Sequence, residues 1–289
     1  MRYEMLGPLR VVDGTRCSSV NARKVEILFS VLLIRAEQVV SSKQLMGEIW
    51  GEDLPRRATA GLHVYISQLR KFLKRPGRST SPVETRAPGY VLHIGDDEID
   101  AHVFPRRVEE GRTLLRQGRY EEATRCFERA LDLWRGPLLG PGGNGRDANG
   151  PIIDGFSTWL TETRLECQEM LAECRLHVGR HRETVGTLYA LTAENPMRET
   201  FYRQLMLALY RSERQADALK VYQAARRTLK DELGLEPGRA LQELQRAILA
   251  GDNPSDDGAR SPLRPLTAPP PSVPPLSVPA PRPSRPLGP

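Results

Sequence analysis

The feature that most constrains the fold is a basic amphipathic segment in the N-terminal third of the chain. Residues 54–83 contain seven Lys and Arg residues and neither Asp nor Glu. Within this run Leu62, Ile66, Leu69 and Leu73 recur at helical spacing, which predicts a helix over residues 57–74. A helix with one apolar stripe must bury that stripe against other elements. The segment therefore predicts a packed domain around a basic helix.

The flanking sequence predicts the elements that this helix packs against. Residues 3–12 are β-prone and predict a small N-terminal sheet, and residues 22–35 have the apolar spacing of a helix. Ser41 or Ser42 is placed to cap a second helix that ends at Trp50. Pro76-Gly77 ends the third helix, and residues 83–94 predict a β-hairpin that turns at residues 87–89. This order of strands, three helices and hairpin is typical of an OmpR-type winged helix.

A polar face runs along the third helix at spacings of four, four, three and four residues. Because a DNA major groove admits an α-helix, this face predicts contacts to a duplex. An arginine there can form a bidentate contact to guanine, and an arginine at the hairpin tip can reach a minor groove. We expect phosphate contacts from Arg56, Arg57, Lys71 and Lys74, and base contacts from His63, Ser67 and Arg70, with Thr59 on the same face and Arg86 in the wing.

The distribution of charge supports a polyanionic partner. Residues 1–95 hold 15 Lys and Arg against 8 Asp and Glu, whereas residues 96–289 hold 27 against 28. The basic surplus is therefore confined to the predicted winged helix. A solvated polar face on an ordinary core helix is the alternative. The order of the elements and the acid-free run favour DNA.

Residues 99–249 predict helices throughout, with an internal repeat. Similar segments begin near Arg119, Arg180 and Arg214, and the last two are 34 residues apart, which is the tetratricopeptide period. Small and aromatic positions also match, as in Phe127 and Tyr222. Such repeats stack into a concave surface that usually binds protein. A Gly/Asn-rich loop at 140–150 separates the first segment from the others.

The remaining sequence sets limits on structure and chemistry. Residues 252–289 include 13 prolines, which predicts a disordered tail. The four cysteines are scattered without a CxxC, and we find no signal peptide or membrane-spanning run, so we expect a cytoplasmic, nucleoid-associated protein. No catalytic arrangement is recognisable. We therefore expect no enzyme activity, no metal and no cofactor.

These observations predict a mainly α protein with three parts. Residues 1–95 form the OmpR-type winged helix, with a small sheet, three helices and a β-hairpin wing. Residues 96–251 form an all-α, tetratricopeptide-like domain. Residues 252–289 form the disordered, Pro-rich tail.

Long motifs in this sequence resemble the SARP family, the actinomycete antibiotic regulatory proteins. DLPRRATAGLHVYISQLRKFL and TRAPGYVL are similar to the family's OmpR-type domain. LDLWRGPLL (131–139), residues 196–222 and residues 229–249 are similar to its bacterial transcriptional activation domain. The resemblance covers residues 1–250. Neither the 140–150 insert nor the tail has a counterpart in it.

The resemblance implies a sequence-specific activator of a secondary-metabolite gene cluster that directs antibiotic synthesis. Within the family, it suggests a regulator of an aromatic polyketide pathway. It also implies binding to tandem direct repeats as a homodimer on DNA, and recruitment of RNA polymerase holoenzyme through its sigma and alpha subunits. Two alternatives remain from the residues alone. One is a helical-repeat scaffold for proteins, and the other is a ligand-responsive sensor, each with non-specific DNA affinity.

Overall fold

The computed structural model describes residues 1–74, 81–139 and 150–251. Three predictions concern residues that are wholly or almost wholly outside these ranges. They are the helix stop at Pro76-Gly77, the loop at 140–150 and the tail at 252–289.

The predicted N-terminal sheet is confirmed. Strands β1 (Arg2–Glu4), β2 (Arg10–Asp13) and β3 (Arg16–Ser19) are antiparallel neighbours. A strand that the sequence did not predict, β7 (Glu98–Ile99), adds parallel to β1. In the described residues this sheet has the order β3-β2-β1-β7. Residues that follow the wing therefore return to the start of the chain.

The helices of the winged helix are α1 (Arg23–Ile34), α2 (Ser42–Trp50) and α3 (Ala58–Phe72). Ser41 caps α2 as predicted, because its hydroxyl accepts from the Gln44 N–H while the Gln44 side chain accepts from the Ser41 N–H. The predicted stripe of α3 is buried, with Leu62 and Leu69 fully inaccessible to solvent.

The predicted hairpin is β5 (Val83–Arg86) followed by β6 (Gly89–Leu92), and Ala87–Pro88 at its turn is a cis peptide. A further short strand, β4 (Val40–Ser41), pairs with β6 in the order β4-β6-β5. Because Ser41 also caps α2, the wing is hydrogen-bonded to the segment that begins this helix.

From residue 100 onward, every secondary-structure element in the described part of the chain is a helix. The helices are α4 (Asp100–Arg116), α5 (Tyr120–Leu131), α6 (Pro151–His177), α7 (His181–Glu194), α8 (Glu199–Arg211), α9 (Gln215–Leu233) and α10 (Arg239–Ala250). The three repeat segments begin where predicted, because Arg119, Arg180 and Arg214 are the residues that precede α5, α7 and α9. Phe127 and Tyr222, matched by the repeat, are both buried. The predicted fold class is confirmed.

The described residues form two compact units that do not follow the order of the chain. Among the described residues, unit 1 comprises 1–74, 81–103, 134–139 and 150–161, and unit 2 comprises 104–133 and 162–251. Unit 2 has a core in which Phe201, Leu205 and Leu209 of α8 pack with side chains of α7, α9 and α10. Cys126, Cys167 and Cys174 lie in its helices, and all four cysteines of the chain are free.

Unit 1 also includes residues 134–139, which lie far along the chain from the N-terminal sheet. The Arg135 N–H donates to the Leu6 carbonyl at 2.7 Å, and the Leu139 N–H donates to the Met5 carbonyl at 3.2 Å. The Arg135 guanidinium Nε also lies 3.2 Å from a carboxylate oxygen of the buried Glu4. Residues 134–139 of the LDLWRGPLL motif are therefore held, within unit 1, against the segment that follows β1.

Candidate nucleic-acid interface

The exposed face of α3 carries most of the residues predicted to contact DNA. The stripe of Leu62, Ile66, Leu69 and Leu73 is at most 2% exposed, so it holds the helix against the rest of unit 1. The opposite side is open to solvent. Five predicted residues are exposed on it or just after its end: Thr59, His63, Ser67, Lys71 and Lys74.

The N-terminal end of α3 is electropositive. Arg57 is the N-cap residue, its side chain makes no capping hydrogen bond, and the first turn contains no Asp or Glu. Both Arg56 and Arg57 are exposed. Unpaired backbone N–H groups and the helix dipole attract anions, and phosphate is the anion that a DNA strand presents. This end of α3 is therefore suited to a phosphate contact.

Arg70 differs from the other predicted residues because it contacts the wing. Its Nε donates to the Val83 carbonyl at 3.0 Å, and its Nη2 donates to the Thr85 hydroxyl at 2.8 Å. Its guanidinium also lies 6.0 Å from the centre of the Tyr90 ring. A bidentate contact to guanine would require the side chain to leave these acceptors. The base-reading role of Arg70 stays a prediction, whereas its contact with the wing is structural.

Arg86 follows Thr85 in the wing. Because Arg70 of α3 donates to the Thr85 hydroxyl, this contact connects α3 to the strand that carries Arg86. Arg86 is the last residue of β5 and is exposed. On the other side of the wing, the N–H of Ser42 donates to the Pro88 carbonyl at 3.2 Å. The N-terminus of α2 therefore lies beside the wing turn. Lys43, which is exposed on the first turn of α2, adds a positive charge that the sequence analysis did not single out.

Three further exposed residues of α3 were missed: Ala60, Val64 and Gln68. Val64 is 52% exposed, which is high for an apolar side chain. These three residues are spaced four apart and form a second row beside the polar row that the sequence pattern picks out. A helix in a groove presents a broad arc of its surface. Counting every position opposite the buried stripe would have found these residues.

The base of the wing is held by a histidine between two carboxylates. His93 Nδ1 lies 2.8 Å from a Glu37 oxygen, and its Nε2 lies 3.0 Å from a Glu84 oxygen. Glu37 also accepts the N–H of Ile94 at 2.6 Å. Hydrogen bonds from His93 to Glu37 and then to Glu84 raise the histidine pKa above 6.5. A protonated ring donates to both partners at once, so this contact joins the loop after α1 to both wing strands.

No group of three or more His, Cys, Asp or Glu in residues 1–74, 81–139 and 150–251 is arranged to hold a metal ion. In the same ranges, none of the helices is long and apolar enough to cross a membrane.

Comparison with family models identifies both parts of the chain. Residues 19–92 match the model described as "Transcriptional regulatory protein, C terminal". Residues 99–249 match the model described as "Bacterial transcriptional activator domain". The second match includes residues 134–139 and 150–161, which belong to unit 1 in the structure.

Curated relatives give the same result at the level of whole chains. The protein is 37% identical over 260 residues to "Regulatory protein DnrI" of Streptomyces peucetius, a match that covers 87% of this chain and 93% of that one. It is 35% identical to "Regulatory protein AfsR" of Streptomyces griseus over 90% of this chain but only 26% of that longer protein.

A solved structure supports the fold. "Mycobacterium tuberculosis EmbR in complex with low affinity phosphopeptide" superimposes with a TM-score of 0.80 and 32% identity, covering 89% of this chain and 67% of that one. A winged helix with an exposed basic helix, joined to an activator domain, defines a transcriptional regulator rather than an enzyme. The chain belongs to the SARP family, which combines these two domains.

Proposed function

We propose that this regulator is a sequence-specific DNA-binding activator of a secondary-metabolite gene cluster of the antibiotic class. The observation that carries the proposal is the exposed face of α3. It has an electropositive start, a basic end and no acidic residue, and it is linked to a wing that bears Arg86. The family supports the biological role, since the matched domain is a bacterial transcriptional activator domain.

Phosphate contacts position the protein on the duplex. The cations proposed for this role are Arg56 and Arg57 at the start of α3 and Lys71 and Lys74 at its end. Arg86 in the wing is proposed to reach an adjacent minor groove. With about six phosphates neutralised by Lys and Arg, affinity should fall on the order of a thousandfold between roughly 50 and 200 mM salt. This part of the binding carries no sequence information.

Base contacts come from the centre of the exposed face. His63, Ser67 and Gln68 offer polar groups that pair with base edges, and the methyl groups of Val64 suit a thymine methyl. Thr59 lies nearer the edge of this face. Arg70 aligns the wing with α3 through its contacts with β5. In the DNA-bound state, we propose that its side chain leaves these acceptors and contacts guanine.

Membership of the family supports a proposal for the arrangement on promoters. We infer that protomers bind tandem direct repeats as a homodimer on DNA, at the nucleoid, and recruit RNA polymerase holoenzyme through its sigma and alpha subunits. The helical repeats of unit 2 suit a protein partner because stacked repeats usually form protein-binding surfaces.

The proposal is tested by selecting duplexes from a random pool with the full chain and footprinting the enriched sequences. We expect one enriched sequence class, protected as two equally spaced half-sites in the same orientation. The matched pair Gln68→Ala and Lys71→Ala separates reading from positioning. Gln68→Ala should relax preference at one base position, with discrimination there falling by roughly 1–3 kcal/mol.

Lys71→Ala should instead weaken binding to all sequences alike and reduce the salt slope by about one. Salt-dependent binding without enrichment of any sequence would overturn the proposal and favour the protein-binding scaffold. A single protected half-site would overturn only the repeat arrangement.

A further inference from the structure

A buried carboxylate connects the DNA-binding helices to residues that the family model assigns to the activator domain. Glu48 of α2 is 3% exposed. Its Oε1 accepts the N–H of Ile152 at 2.7 Å, and its Oε2 accepts the N–H of Ile153 at 3.4 Å. These are N–H groups of the first turn of α6, which have no acceptor within that helix. Glu48 therefore caps α6 from a distant part of the sequence.

The site is closely fitted. Gly150 precedes α6, and a Cβ at this position would lie 2.5 Å from Glu48 Oε2, with the carboxyl carbon closer still. Pro151 occupies the first helical position, where it has no N–H to satisfy. Ile152 and Ile153 are buried beside it. The sequence Gly-Pro-Ile-Ile thus gives a carboxylate access to the helix start and removes competing groups.

Trp50, two residues after Glu48 in α2, packs against α3. The Trp50 ring lies 5.7 Å from the ring of Tyr65, centre to centre. A Cβ at Gly61 of α3 would lie 3.2 Å from Trp50 Cζ2, so the indole packs directly on the helix backbone. Contacts from the start of α6 to α3 are therefore continuous through α2, entirely within unit 1.

We propose that Glu48 is a positioning residue for DNA binding, which holds α2, and through Trp50 the exposed face of α3, by capping the first turn of α6. This inference rests on the proposed function, since its readout is the binding of a duplex by α3. It assigns to residues 150–153 of the activator domain a role in the DNA-binding unit.

The test uses the full chain with Glu48→Gln. The amide keeps the shape of the side chain but turns an NH₂ toward one of the two N–H donors, so one hydrogen bond is lost. We expect faster hydrogen exchange at the Ile152 and Ile153 amides. We also expect about tenfold weaker binding to the duplex enriched by the wild-type chain, an effect of the size typical for residues that couple two sites.

Two further variants separate positioning from a general loss of structure. Gly150→Ala crowds the carboxylate from the other side, so its effect on DNA affinity should not add to that of Glu48→Gln. Glu199→Gln is the matched control, because Glu199 accepts the N–H of Gly238 at the start of α10, in unit 2, at 2.7 Å. It should leave DNA affinity unchanged.

The outcomes distinguish this inference from the proposed function. Unchanged exchange at Ile152 and Ile153 in Glu48→Gln overturns the capping role, whatever the DNA result. Faster exchange with wild-type affinity, or additive effects of the two unit 1 variants, overturns the positioning role. If the wild-type chain enriches no duplex, the proposed function fails and the positioning role fails with it, while the exchange result still decides the cap.

Discussion

Replacing Gly89 with Ala should dislodge the wing from the helices. Gly89 is the first residue of β6 and pairs with Ser41 of β4. A Cβ at this position would overlap the carbonyl oxygen of Val40 and lie 2.7 Å from the Cα of Ser41. These are backbone atoms, and they cannot rotate away as a side chain would. The β4–β6 pairing must therefore open.

The expected cost combines two contributions. Overpacking a fixed site costs about 1–3 kcal/mol. Each net hydrogen bond lost adds roughly 0.5–1.5 kcal/mol. With one hydrogen bond lost, Gly89→Ala should therefore lower the stability of unit 1 by about 1.5–4.5 kcal/mol. Because the cap of α2 also begins at Ser41, DNA affinity should fall as well.

The measurement is urea denaturation followed by tryptophan fluorescence. Trp50, Trp134 and Trp159 all belong to unit 1, so this signal reports the unit that contains the wing. Gly47→Ala is the control, since a Cβ there meets nothing within 4 Å and the position lies inside α2. Alanine should stabilise that helix by roughly 0.5–1 kcal/mol. Equal urea midpoints for Gly89→Ala and the wild type would refute the steric argument.

Three other changes test separate parts of the molecule. Phe127→Ala in α5 empties a fully buried site and should destabilise unit 2 by about 3–5 kcal/mol, measured by urea denaturation followed by circular dichroism; a loss below about 1 kcal/mol would contradict its place in the core. His93→Gln should lower the urea midpoint of unit 1 more at pH 6 than at pH 9. The raised histidine pKa stabilises the fold below the unfolded value and loses that effect as pH rises through the folded value, so an equal difference at both pH values would count against the protonated bridge. Lys74→Ala should weaken binding to enriched and scrambled duplexes by the same factor, in parallel titrations at two salt concentrations, and a change in sequence preference would show that Lys74 reads bases.

The fold class was predictable because its signals are local. The spacing of Leu62, Ile66 and Leu69 is set by the helical period, and it identifies the buried side of α3 without knowledge of its partners. Ser41 and Ser42 were recognised as candidate caps for the same reason, and the structure selects Ser41, whose hydroxyl accepts an N–H three residues away. The 34-residue step between Arg180 and Arg214 located the starts of α7 and α9.

The candidate site was predictable in part. The positive charges and the exposed polar row of α3 follow from the sequence alone. The contact of Arg70 with Val83 and Thr85 does not, because it depends on where the wing folds back against the helix. The exposure of Val64 was missed for a different reason: an apolar residue in an amphipathic helix is expected to be buried.

The sequence by itself thus determined the helices, the hairpin, the repeat and the position of the basic surface, since each depends on periodicity or composition within a short stretch. Only the tertiary structure decided which segments belong to the same compact unit. Glu48 and Ile152 are 104 residues apart in sequence, and Arg135 and Glu4 are separated by a still longer stretch of chain. No local pattern marks such pairs, because a buried carboxylate becomes stable only where folding brings N–H groups or a guanidinium to it.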